Sequence, residues 1–237
     1  MLMKIKESIL VMIISIAICV VLCGCCGKGT DEKLCAQVLP SIVEIQVRDE
    51  EEQIVGNATG TVISEDGNIL TNRHVVRKYD YETNSYILYS KIYVRFYNQT
   101  DFIRSEVVIV SENSDLALLK IDTTDGNFIS LAKTEKLNYG ETVHSIGNGN
   151  GYGLSYSKGS VAAPLRHIEY DGKTVDAIQI NMNVYEGNSG GALLNQSGEP
   201  VGIITFRLRD NKNEIIHGTA FALPLNTIKE FLGIISN

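Results

Sequence analysis

The sequence predicts an all-β chain built as barrels or sandwiches, and three observations point there. Short alternating or β-branched runs recur along most of the chain, separated by Gly, Asn and Asp. One pair of runs is joined by Asp66-Gly67, a strong hairpin signal. A helical period is clear only at the very end. The 237 residues suffice for one large β domain or two smaller lobes.

The chain opens as a targeting segment. Lys4 and Lys6 give a positive start, and residues 9–22 are apolar apart from Ser15. That run is shorter than the about 20 residues a membrane span needs and suits the core of a signal peptide. Leu22-Cys23-Gly24-Cys25 then resembles a bacterial lipobox, which implies cleavage before Cys25 and a lipid on Cys25. An uncleaved anchor helix and a plainly secreted form are the alternatives; all three put the body of the chain outside the cytoplasm. The expected division is a lipoprotein-type signal peptide at 1–24 and a polar tether with a short helix at 25–37. Asp31 and Glu32 suit the helix's first turn and Pro40 ends it.

From residue 42 the period becomes two. Val43, Ile45 and Val47 alternate with Glu44 and Gln46, as a half-buried strand does. Runs 60–63 and 69–71 flank the Asp-Gly turn, and strands are expected at 91–96, 107–111 and 116–121. Residues 77–90, rich in Tyr and polar groups, read as an inserted surface loop, and 126–140 as a crossover between two β lobes at 38–130 and 131–237. Further strands follow at 142–146, 154–162, 177–182, 192–194, 201–205 and 219–222. A closing helix is capped by Asn226, aligns Ile228, Phe231 and Leu232 on one face, and stops at Gly233.

Composition excludes several function classes. The net charge is −7 with no block of Lys or Arg, so nucleic acid is not an expected partner. The four histidines are far apart and fit no metal-ligand spacing, so neither a metal nor a cofactor is expected. All five cysteines precede residue 36, so no disulfide framework holds the body together and burial must do so. The stretch 147–153, GNGNGYG, does not satisfy a dinucleotide fingerprint and reads as a loop.

One constellation carries chemistry. Three glycines, Gly187, Gly190 and Gly191, surround Ser189, and an apolar run follows. Glycine serves where φ must be positive or where backbone must come close to another group. A serine hydroxyl needs a base to act as a nucleophile, and a histidine is the natural one. His74 stands just past the 69–71 strand, where a sheet holds an imidazole at a cleft edge; His144 falls inside a strand, and His167 and His217 fall in turns. Asp115 opens the apolar run 116–119, and a carboxylate at the mouth of a buried strand needs a partner. It is suited to fix the imidazole's tautomer.

The blocks TNRHVV, SDLALLKI and EGNSGGALLN resemble the signatures of HtrA/Deg serine proteases, and LPSIVEIQV, SIGNGNG and GTAFALPLN agree. The similarity runs from about Val38 to Phe231. It implies two six-stranded antiparallel β-barrels of the trypsin-like fold, with short helices at both ends. It further implies a catalytic triad of His74, Asp115 and Ser189, and an oxyanion hole from the N–H groups of Gly187 and Ser189 with Asn188 shaping the turn. The primary pocket is expected to rest on Asn183, six residues before Ser189, with Thr205, Phe206 and Arg207 as a wall. With no acid at 183, small or medium uncharged side chains are expected at the cleaved position rather than Arg or Lys. Implied partners are unfolded polypeptides, the membrane through the N-terminus, and two further copies in a homotrimer. Glu186 beside the oxyanion site and Arg73 before the histidine depart from the family pattern. The sequence runs about fifty residues past Ser189, so a PDZ domain is not expected within it. A non-catalytic binding module on the same fold, or an esterase using the same triad, are the alternatives.

Overall fold

The computed structural model describes residues 30–122, 125–134, 136–170, 172–209, 212 and 214–233, with the side chains of 208 and 209 excepted. The expected signal peptide, lipobox and Cys25 lie outside the described residues. The first described element is a helix, α1 (Thr30–Val38), carrying Asp31 and Glu32 in its first turn. A 3-10 turn over Leu39–Ser41, with Pro40 at its start, leads into the sheet. The described residues from 35 onward form one compact unit that contains both sheets described next.

The first sheet uses β1 (Ile42–Arg48), β2 (Ile54–Val62) and β3 (Asn68–Thr71), followed by the single-turn helix α2 (Arg73–Val76). The two strands β4 (Arg77–Asp80) and β5 (Ser85–Leu88) come next, then β6 (Lys91–Phe96), β7 (Ile103–Val110) and β8 (Ala117–Lys120). They close in the order β1-β2-β3-β8-β7-β6, while β4 and β5 pair only with each other. The expected surface loop at 77–90 is thus an antiparallel hairpin, with Tyr79 opposite Tyr86. β2 and β3 pair across the Asp66-Gly67 turn in the register Thr61–Leu70 and Val62–Ile69.

The second sheet uses β9 (Thr142–Gly147), β10 (Ser155–Tyr170), β11 (Lys173–Asn181), β12 (Ala192–Leu194), β13 (Pro200–Arg209) and β14 (Ile215–Pro224). It closes as β10-β11-β14-β13-β12-β9. The two closed six-stranded antiparallel barrels agree with the fold the resemblance implied. The terminal helix α3 (Leu225–Phe231) begins two residues earlier than expected, with Pro224 rather than Asn226 at its cap.

Burial explains the closure. Val43, Ile45, Val47, Ile69, Val94 and Leu119 meet inside the first barrel, and Val143, Val161, Ile178, Ile180, Leu193 and Ile204 inside the second. Each such side chain contributes about 1.5–3 kcal/mol when fully buried. A third cluster of Leu70, Leu116, Ile203, Leu223 and Ile228 joins residues of both barrels and of α3. β1 is not half-exposed as its alternation suggests: Glu44 is buried as well. Its cross-strand neighbour Arg95 lies over it and pairs with its carboxylate at 3.1 Å.

Candidate active site

Antiparallel pairing brings the histidine to the acid. β3 and β8 pair with Thr71 opposite Ala117, so the chain leaving one strand and the chain entering the other share a rim. His74 lies three residues beyond that point and Asp115 two residues before it. The imidazole Nδ1 is 2.6 Å from Asp115 Oδ2, and the His74 amide donates to Oδ1 at 2.9 Å. Asn72, fully buried, donates from Nδ2 to the Asp115 carbonyl at 2.8 Å. Buried Arg73 closes the back by donating to the carbonyls of Ser111 and Glu112.

Asp115 is only 2% exposed, and burial alone pushes its carboxyl up. The hydrogen bond and charge of His74, the His74 amide and the charge of Arg73 outweigh that and hold the group below the ordinary Asp value. A buried carboxylate bonded to Nδ1 keeps the ring proton there and leaves Nε2 as the basic nitrogen.

The serine turn is shaped by glycine and gripped from the other barrel. Gly187 and Gly190 have φ of +93° and +87°. A Cβ on Gly187 would strike the Asn148 carbonyl, and one on Gly190 the Thr59 carbonyl and Thr71 Oγ1. Thr59 of β2 donates its hydroxyl to Gly187 O at 2.6 Å and its amide to Ser189 O at 2.9 Å. Thr61 donates to Gly190 O at 3.2 Å. The Asn188 amide turns inward to Tyr185 O at 3.1 Å. Among the described residues, no backbone acceptor takes the amides of Gly187 or Ser189. Ser189 Oγ itself donates to Thr205 O at 3.2 Å. Ser189 and His74 line one cavity of about 580 Å³ and a second of about 240 Å³.

Residues 58–203, more than half of the chain, match the family model described as a trypsin-like peptidase domain. The chain belongs to the trypsin-like peptidase family. It is 32% identical over 194 residues to the serine endoprotease DegS of Haemophilus influenzae, covering 81% of this chain and 54% of DegS. It is 35% identical over 179 residues to a Pseudomonas putida (strain W619) protein named "Probable periplasmic serine endoprotease DegP-like", covering 76% of this chain and 34% of that one. Among solved structures, the HtrA-type protease AlgW with a tripeptide superposes with a TM-score of 0.72 at 23% identity, over 85% of this chain and 62% of that one. The serine endoprotease from Yersinia pestis gives 0.68 at 26% identity, over 86% and 65%. The chain spans about half the length, or less, of these curated relatives.

In this trypsin-like peptidase the larger cavity is walled by Val184, Phe206 and Phe221, with Thr205 and Arg207 also lining it. Asn183 does not line it and is exposed, which corrects the expected pocket floor. Residues 182–184 lead from β11 into the serine turn with 182 and 184 buried, so 183 faces away. Glu186 does not stand uncompensated beside Gly187: Arg207 Nη2 meets its carboxylate at 3.0 Å, and the side chain is 78% exposed. Such an exposed pair contributes at most about 1 kcal/mol to stability, so its effect is local neutralisation at the cavity rim.

Sequence reasoning missed Thr59, Thr61, Thr71, Asn72 and Tyr170. A signal existed for the first two: hydroxyl residues at positions two apart in a strand share a face. Here that face turns to the second barrel rather than to water, and both are fully buried. Among the described residues, no group of three or more His, Cys, Asp or Glu could hold a metal ion.

Proposed function

We propose that this chain is an extracytoplasmic serine endopeptidase of the HtrA/Deg type that cleaves unfolded polypeptides through an acyl-enzyme. The observation that carries this reading is the 2.6 Å contact between His74 and Asp115 on the rim of a cavity that Ser189 also lines. Ser189 is the nucleophile. Rotation about its χ1 takes the hydroxyl from Thr205 O toward His74 Nε2. As Oγ bonds to the substrate carbonyl carbon, its proton passes to Nε2 and the carbonyl electrons move onto oxygen. The amides of Gly187 and Ser189 receive that oxyanion, each worth roughly 3–4 kcal/mol at the transition state. Collapse expels the amine, which takes the proton from His74. Water repeats the sequence on the ester and frees Ser189. Asp115 keeps the imidazole in the required tautomer throughout.

The apolar wall of Val184, Phe206 and Phe221 supports a preference for uncharged side chains at the cleaved position, and Glu186 at the rim is paired with Arg207. The N-terminal pattern around Cys25 and the periplasmic relatives support a lipid-tethered protein outside the cytoplasm. Intact mass of membrane-extracted protein tests that part. Labelling by a fluorophosphonate probe tests the chemistry. The probe should react at Ser189 in the full chain, fail with Ser189→Ala and slow greatly with His74→Ala, in step with casein hydrolysis. Casein turnover unchanged in Ser189→Ala would overturn the assignment.

A further inference from the structure

We propose that Tyr170 is a positioning residue for Asp115: its hydroxyl, brought across by the β10–β11 hairpin of the second barrel, holds the carboxylate oxygen that faces the imidazole. The inference rests on the peptidase reading above. Tyr170 Oη donates to Asp115 Oδ2 at 3.2 Å, the same oxygen that His74 Nδ1 approaches. A carboxylate this buried depends on donors to its lone pairs. Oδ1 is served by the His74 amide, so Oδ2 is where a second donor has effect. The Thr205 hydroxyl, bonded to Asn72 beside Asp115, is committed elsewhere. Its one hydroxyl proton goes to Ile203 O at 2.9 Å, and its oxygen accepts from Asn72 Nδ2 at 3.1 Å.

The hairpin is held so that this hydroxyl arrives in place. The Tyr170 ring stacks on Phe206 with centroids 4.4 Å apart and planes within 9°, and Phe206 stacks on Phe221 at 5.1 Å. Just past the turn, Lys173 Nζ donates to Glu112 O, three residues before the acid. Both strands of the hairpin therefore grip the segment that bears Asp115. The groups facing the carboxylate are the His74 ring and amide and the Arg73 charge from α2, and Tyr170 from β10. The Tyr170 hydroxyl keeps Oδ2 directed at the ring and draws some negative charge from it. Without it, Asp115 rotates more freely and pulls harder on the imidazolium.

The test is Tyr170→Phe in the full chain, which keeps the ring on Phe206. Expected are a fall in kcat of about tenfold, the scale of one hydrogen bond to a charged group, a KM within about twofold of the parent, and an acid limb of the pH–rate profile displaced toward higher pH. The low-field proton resonance of His74 Nδ1–H should also move, because Oδ2 loses its second donor. Parent-like kcat, acid limb and resonance would overturn the proposal. So would a kcat loss with an unmoved acid limb and an unmoved resonance, which marks a merely structural role. A parent protein that neither labels with fluorophosphonate nor cleaves casein would sink the peptidase reading, while the resonance comparison would still decide for or against Tyr170.

Discussion

The two barrels deliver their halves of the site by different means. The first presents a pair of side chains, His74 and Asp115, already joined by two hydrogen bonds at strand ends within one sheet. The second presents a length of backbone, the turn at 187–191, whose shape depends on two positive-φ glycines and on hydroxyls and an amide lent by β2 of the first. The His74–Asp115 contact is thus built within one barrel, with the Tyr170 hydroxyl reaching it from the other. The electrophile's seat is built only at the junction. The difference teaches where the site is fragile: substitutions in the first barrel strike chemistry, and substitutions at the junction strike geometry and folding together.

The largest expected effect comes from taking one member from each side. Ser189→Ala and His74→Ala should each lower turnover by on the order of 10⁵–10⁶, and the double variant should be no worse than either alone. Losses that multiply would break the picture of one unit shared between the barrels; casein turnover by the three variants decides it. Next, Asp115→Asn should retain binding but lose about 10³–10⁴ in kcat through the wrong tautomer, as steady-state kinetics will show. A smaller effect, now on stability, is expected at the junction. Gly190→Ala forces a side chain into a positive-φ site against Thr59 and Thr71 and should cost about 2–4 kcal/mol in urea unfolding. Thr59→Val keeps the branched shape but leaves the Gly187 carbonyl and the Asn148 amide without their partner, a loss of about 2 kcal/mol accompanied by lower kcat. A stable, fully active Thr59→Val protein would show that the lent hydroxyl does not shape the turn.

The gentlest probe is pH. The Asp115 carboxyl is depressed in the folded state, so its contribution is fully present above the unfolded value of about 3.9 and is lost as pH falls through the lower folded value. The urea midpoint of the parent should therefore drop below pH 4 more steeply than that of Asp115→Asn. Parallel curves would mean that the His74 pairing gives the folded state no advantage.

How much of this was legible depended on whether a residue's local pattern matched its global surroundings. His74, Asp115 and Ser189 were legible because strand ends and a glycine turn are local signals. The barrels' strands were legible where apolar and polar residues alternate, as in β1, although both of its faces turned out to be buried. The far half of β10 was not: residues 165–168 lie on a ribbon that meets solvent on both faces, so no apolar alternation marks it, and the expected strand stopped at 162. The same blindness hid Tyr170, whose partner lies 55 residues away in the other barrel. Asn183 was misplaced because counting back from Ser189 gives a position in the chain but not the direction of a side chain in an irregular stretch.

The grip of Thr59 on the carbonyls of 187 and 189 has a consequence for how the molecule comes into being. On the proposed mechanism, a chain whose second half has folded alone would own Ser189 without a formed cradle, and one whose first half has folded alone would own His74 and Asp115 with no hydroxyl to serve. Half-made molecules are therefore expected to be silent, and the first turnover to mark the instant at which the two halves clasp.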